Sequence, residues 1–222
     1  MLSAVIVDTE VSGLVGKEPI EVAWMVYGPG CVNGVATGSR FRPEGKLEAG
    51  SVLIHGILPS DLESSPPSKD ARGFVPAAEY WIGHNIDFDW EVLGKPEVKR
   101  ICTLALTKAL FPGFGSYRLG ALYYERYGIS EKSRLAVRTS EHAAGGDVIL
   151  VAHILDWIAE AHGISDPAAL WKKSEESRVP VFMPFGKHKG QKIAELPDHY
   201  RKWCLGNLTD IDEYLRKALE TA

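Results

Sequence analysis

Two carboxylates close the first apolar run of the chain, where Ala4-Val5-Ile6-Val7 leads into Asp8-Thr9-Glu10. Alternate side chains of an extended segment share a face, so Asp8 and Glu10 can reach one site. A D-x-E pair alone is common, and most copies are solvated surface. A second group is His84-Asn85-Ile86-Asp87-Phe88-Asp89, after a short apolar run. There Asn85 or Asp87 could simply cap a helix. Spacing turns Asp87 away from Asp89, so Asp87 is read as a cap. The third group is His142-Ala143-Ala144-Gly145-Gly146-Asp147, which leads into a strongly periodic segment. A helix dipole favours an acid at that end in any case. Each group has a bland explanation alone. Their joint occurrence, each at the edge of a strand or helix, points instead to acids gathered to hold metal.

The elements that must position these residues can be read coarsely. Residues 4–8, 20–27 and 34–42 are strand candidates joined by short Gly/Pro turns, which suggests an antiparallel meander. Leu47 to Ile57 has helical texture, and Trp81-Ile82-Gly83 is a short strand. Residues 103–111, 119–127 and 148–161 carry apolar side chains at helical spacing, with Gly163 as a C-cap. Strands first and helices later predict an α/β fold, a mixed sheet flanked by helices.

Composition sets the frame. The chain has 222 residues, 45% hydrophobic and 24% charged, with a formal charge of −4. It suits one sizeable α/β domain plus a small appendage. The apolar N-terminus reads as a buried strand, without the basic region of a signal peptide. No apolar run has the length to cross a bilayer, so no membrane partner is expected. Cys31, Cys102 and Cys204 are far apart and form no CxxC pair, which argues against a disulfide framework or zinc site and for a reducing cytoplasm. The overall charge gives no signature for nucleic acid. Locally, however, residues 172–202 hold eight Lys/Arg against four Asp/Glu, whereas residues 1–171 hold 15 against 21. The expected division is a main domain over 1–164, a linker over 165–178 and a small basic region over 179–222.

The three acidic groups, in this order, resemble the motifs of the DEDD 3′→5′ exonucleases of the proofreading and RNase T class. The histidine five residues before Asp147 marks the DEDDh branch. The resemblance extends to Ile20-Glu21-Val22-Ala23, His55-Gly56-Ile57 and Cys102-Thr103-Leu104, so it covers roughly residues 4–160. Phe185-Gly186-Lys187-His188-Lys189-Gly190, with Tyr200-Arg201-Lys202-Trp203, is similar to a C-terminal region carried by some members. The resemblance implies an RNase H-like fold and a metal-dependent exonuclease that releases nucleoside 5′-monophosphates from DNA 3′ ends, single-stranded or duplex. It implies Asp8, Glu10, Asp89 and Asp147 as ligands of two Mg²⁺, with Mn²⁺ able to substitute, and His142 as general base. It places Thr9, Leu14, His55 and Asn85 at the substrate. Gly145-Gly146 stands where larger residues are usual and predicts a looser helix start.

Chemistry agrees with such a set. A phosphodiester is anionic, and two divalent ions about 3.5–4 Å apart can hold its attacking and leaving oxygens. Mg²⁺ prefers carboxylate oxygens, and carboxylates crowded without metal raise one another's pKa. A histidine titrating near neutrality suits His142 to proton removal. Glu21 reads as a paired acid of the sheet. Lys187, Lys189 and Lys192 form a basic cluster suited to DNA phosphates, or else an ordinary solvated face. Three other readings remain: an exoribonuclease acting on RNA, a catalytically silent nucleic-acid-binding module, and a polymerase-associated proofreading subunit.

Overall fold

The computed structural model describes residues 1–140, 143–209 and 211–222. Contacts divide the chain into two compact units, Met1–Lys172 and Lys173–Ala222. The boundary lies inside a helix, where the sequence suggested a linker.

The first unit begins with strands β1 (Leu2–Val11), β2 (Pro19–Val26) and β3 (Thr37–Arg40). Helix α1 (Ala49–His55), strand β4 (Ala78–Gly83) and helix α2 (Asp87–Val92) follow. Next come β5 (Lys99–Cys102), α3 (Thr103–Leu110), α4 (Leu119–Tyr127) and α5 (Glu131–Ser140). The unit closes with the long α6 (Ala144–His162) and the start of α7 (Pro167–Arg178). The strand order is β3-β2-β1-β4-β5. β1, β2 and β3 form the antiparallel meander, while β4 and β5 add in parallel on the other side of β1.

β1 is central because its Val/Ile run can be buried on both faces, and Ala4, Val5, Ile6 and Val7 are all buried. Strand periodicity splits them. Ala4 and Ile6 join Ala23, Met25, Ile82 and α6 residues Val148, Val151, Ala152, Leu155 and Ile158 in one core. Val5 and Val7 join Val22, Phe41, Trp81, Ile86 and Leu93 in the other. The even-numbered face of β1 therefore meets α6 and the odd-numbered face meets α2. Fully burying each such side chain stabilises by about 1.5–3 kcal/mol. Gly163 ends α6 in the left-handed region at φ 69°, its N–H donating to the Ala159 carbonyl.

The second unit contains the end of α7, then α8 (Asp198–Asn207) and α9 (Glu213–Thr221). It has its own core of Met183, Ile193, Leu196, Cys204, Leu215, Ala218 and Leu219. Asp212 caps α9, accepting from the N–H groups of Tyr214 and Leu215 at 2.9 Å. Among the described residues no single helix is long and apolar enough to cross a membrane.

Candidate metal centre

The carboxylates meet at the C-terminal end of β1. Asp8 and Glu10 project on the face that α6 covers, and Asp147 lies in the first turn of that helix. One oxygen from each of Asp8, Glu10 and Asp147 lies within 4.8 Å of the others. Asp89 arrives from the opposite side, on α2, and is only 4% exposed. Its Oδ1 accepts the hydroxyl of Thr9 at 2.7 Å. The set of three does not include Asp89, yet Asp89 is close enough to raise the pKa of Asp8.

Burial and mutual repulsion both act on this cluster. Burial first, then Asp89, Asp147, Glu10 and Glu21, push the Asp8 carboxyl well above its ordinary range. Burial, then Asp147, Glu21 and Asp89, raise Glu10 to about 8. Asp89 is raised to about 7 by burial, although the Thr9 hydroxyl favours its charged form. An all-oxygen, mutually repelling donor set of this kind fits a hard divalent cation. A cation would offset the repulsion that adds to burial in raising these values.

Several neighbours hold the acids in place. Glu21 lies directly across from Glu10 in the β1–β2 ladder. One of its oxygens takes Nε of Arg40 at 3.2 Å, and the other accepts the N–H of Ala144 at 2.8 Å. That bond fixes the start of α6 and hence Asp147. The sequence alone placed Glu21 in the sheet but not at this helix end. At the start of α6, Gly146 and Asp147 both donate to the Ala143 carbonyl. A Cβ on Gly146 would come within 2.0 Å of the Ser140 carbonyl oxygen, so glycine lets the preceding chain approach. His84 is a latch: Nε2 donates to the Tyr117 carbonyl at 2.7 Å and Nδ1 meets the Thr103 hydroxyl at 3.0 Å. Burial depresses its pKa to about 4, so it stays neutral.

The remaining expected residues are dispersed. His142 lies outside the described residues. The Thr9 side chain is buried, its hydroxyl committed to Asp89. Asn85 is exposed in the left-handed region at φ 75°, and its carbonyl accepts from the Phe88 N–H. Asp87 is not a helix cap, since α2 has no side-chain cap bond; it pairs with Arg100, which lies over the Trp90 ring at 4.1 Å. A cleft of about 330 Å³ beside the acids is lined by Glu10, Leu14, Ile54, His55 and Phe88. His55 Nδ1 accepts the Ile57 N–H at 2.9 Å, which orients its ring. Leu14 is 70% exposed, on a loop whose N–H groups at 14 and 15 donate to Glu48. Leu14 also borders a second cleft of about 630 Å³, carrying Lys17, Lys69, Arg72 and Lys95. These four cations come from three separate segments, and no local pattern announces them. Lys187 and Lys189 are exposed, and Lys192 pairs with Glu195 at 3.2 Å.

A family model described as "Putative quorum-sensing-regulated virulence factor" matches residues 176–207. Exodeoxyribonuclease 10 of Escherichia coli K12 is 27% identical over 223 residues, covering 97% of this chain and 96% of the relative. A structure of exonuclease X in complex with 5′ overhanging duplex DNA superposes with a TM-score of 0.64 at 24% identity, covering 77% of this chain and 99% of that one. E. coli exonuclease I with a dA16 oligonucleotide gives a TM-score of 0.57 at 17% identity, over 78% of this chain and 42% of that one. The fold is RNase H-like, as in these exonucleases, and the chain is similar along nearly its whole length to exodeoxyribonuclease 10, which is exonuclease X.

Proposed function

We propose that this chain is a divalent-metal-dependent 3′→5′ exodeoxyribonuclease that releases nucleoside 5′-monophosphates from DNA ends. The convergence of Asp8, Glu10 and Asp147 on one point, with Asp89 buried alongside, carries this reading. The whole-length likeness to exodeoxyribonuclease 10 supports it.

In this reading Asp8, Glu10, Asp89 and Asp147 hold two Mg²⁺, which Mn²⁺ can replace. When bound, such ions offset the charge that develops on the phosphate oxygens. The chain's own groups do the rest. Thr9 keeps an Asp89 oxygen turned into position. Glu21 holds the α6 terminus that carries Asp147. The apolar walls from Leu14, Ile54 and Phe88 receive the terminal nucleotide, with His55 fixed at their edge. Asn85 contacts substrate from the exposed turn before α2. His142 accepts the proton of the attacking water, a role worth about 10²–10⁴-fold in rate. Lys187, Lys189 and Lys192 add phosphate contacts, and residues 1–164 form the nuclease domain joined through 165–178 to the basic region.

The test is digestion of 5′-end-labelled DNA and RNA strands in Mg²⁺. A ladder shortening from the 3′ end on DNA, absent in EDTA, is expected. Digestion of RNA alone would reassign the substrate, and no digestion of either would leave a silent binding module.

A further inference from the structure

Tyr200 packs against the core of the second unit, which also displays three aromatic rings outside that core. Trp203 is 50% exposed, Phe182 53% and Phe185 42%. Tyr200 and Trp203 stand three residues apart on α8, hence on one face. Their centroids are 6.0 Å apart and their planes lie within 19° of each other. The 186–190 turn is built against this plate. Gly186 and Gly190 take left-handed φ values of 71° and 81°, and the Lys189 N–H donates to the Gly186 carbonyl. The Lys187 ammonium lies 5.6 Å from the Tyr200 centroid and the His188 ring 4.3 Å away. His188 is itself held by Gln191 at 2.6 Å.

Charge identifies the occupant. Within this stretch Lys192 pairs with Glu195 and Arg201 with Asp198. Lys187, Lys189 and Lys202 are exposed and, among the described residues, stand outside these ion pairs. An apolar protein partner would need the rings but would bury these ammonium groups without compensation. A ligand offering a flat π-face and an anion at every repeat satisfies both features. Single-stranded nucleic acid is such a ligand, since every base has a face to stack and every linkage a negative charge.

We propose that Trp203, backed by the half-buried Tyr200 and flanked by Lys187 and Lys189, forms a base-stacking platform for single-stranded nucleic acid. The platform performs no hydrolysis; it holds a strand. It differs from a purely electrostatic patch in one respect: duplex DNA, whose bases are already stacked, cannot use the rings.

The full-length protein is assayed in EDTA, by anisotropy with labelled dT20 and with a blunt 20-base-pair duplex. Trp203→Leu is expected to weaken dT20 binding about tenfold, the usual worth of one base–aromatic stack, and duplex binding by less than about twofold. Trp203→Phe, which keeps a ring, retains dT20 affinity but loses the quenching of Trp203 emission that the wild type shows on binding dT20. The proposal is overturned if Trp203→Leu binds dT20 as the wild type does. It is equally overturned if Trp203→Leu loses single-strand and duplex binding alike, or if dT20 leaves Trp203 emission unchanged. Because binding is read without metal, a chain that bound dT20 but never hydrolysed it would fail as an exonuclease and still pass here.

Discussion

Replacing Glu10 by Gln makes the metal-free protein more stable, and does so only above mild acid. The Glu10 carboxyl rises from about 4.5 to about 8 on folding, chiefly through burial and then through Asp147, Glu21 and Asp89. The folded state therefore binds more protons than the unfolded state between these values, so stability falls as pH rises through the window from about 4.5 to about 8. At pH 7 the unfolded carboxylate has passed its pKa by roughly 2.5 units while the folded group is still largely protonated. At about 1.4 kcal/mol per unit, this sets an upper bound of about 3 kcal/mol for Glu10 acting alone. Neighbouring acids share the proton, so about 1–3 kcal/mol is expected to be recovered in Glu10→Gln. At about 2–4 °C per kcal/mol for a chain of this size, the melting temperature rises by about 2–12 °C. The assay is thermal unfolding of both proteins in EDTA at pH 5 and pH 8, then in saturating Mg²⁺. The gain appears at pH 8, nearly vanishes at pH 5, and reverses with Mg²⁺, which the wild type binds more tightly. A variant that melts at or below the wild type at pH 8 in EDTA would refute the idea that burial and repulsion together destabilise the charged form of this cluster.

Four further outcomes are expected, the first from the proposed function and the other three from the geometry. His142→Ala lowers kcat by about 10²–10⁴-fold, and calorimetric titration finds Mg²⁺ binding retained. Thr9→Val deprives Asp89 of its hydroxyl partner and shifts the Mg²⁺ concentration for half-maximal cleavage upward several-fold, with little change in rate at saturating metal. Leu155→Ala, in the fully buried core face of α6, costs about 2–5 kcal/mol in denaturant unfolding. Lys69→Glu with Arg72→Glu, in the cleft across Leu14, raises KM for long DNA and flattens its salt dependence, because fewer counterions are released on binding.

What could be read from the sequence tracks how local the cause is. β1 was legible because its Val/Ile run stops at Asp8, and α6 because its apolar residues recur at helical spacing. β5 was not, since only Ile101 and Cys102 of its four residues are buried. α5 escaped as well, because Ser133 and Val137 are its buried residues and the rest reads as polar loop. Asp87 was mistaken for a cap because its partner, Arg100, comes from the next strand. The metal set was visible as three motifs, but its supports were not. The Glu21–Ala144 bond spans 123 residues, and the Thr9–Asp89 bond 80. Only the fold brings such pairs together.

The most direct test of the central claim follows the product of wild-type protein and Asp147→Asn on a single-stranded DNA oligonucleotide, by chromatography of the released material across a Mg²⁺ titration. Asp147→Asn keeps the shape of the α6 terminus while removing one of the three converging charges. The account predicts that the wild type releases deoxynucleoside 5′-monophosphates in proportion to Mg²⁺ occupancy, while the folded variant releases essentially none. Equal release by Asp147→Asn, or release by the wild type in EDTA, would contradict it.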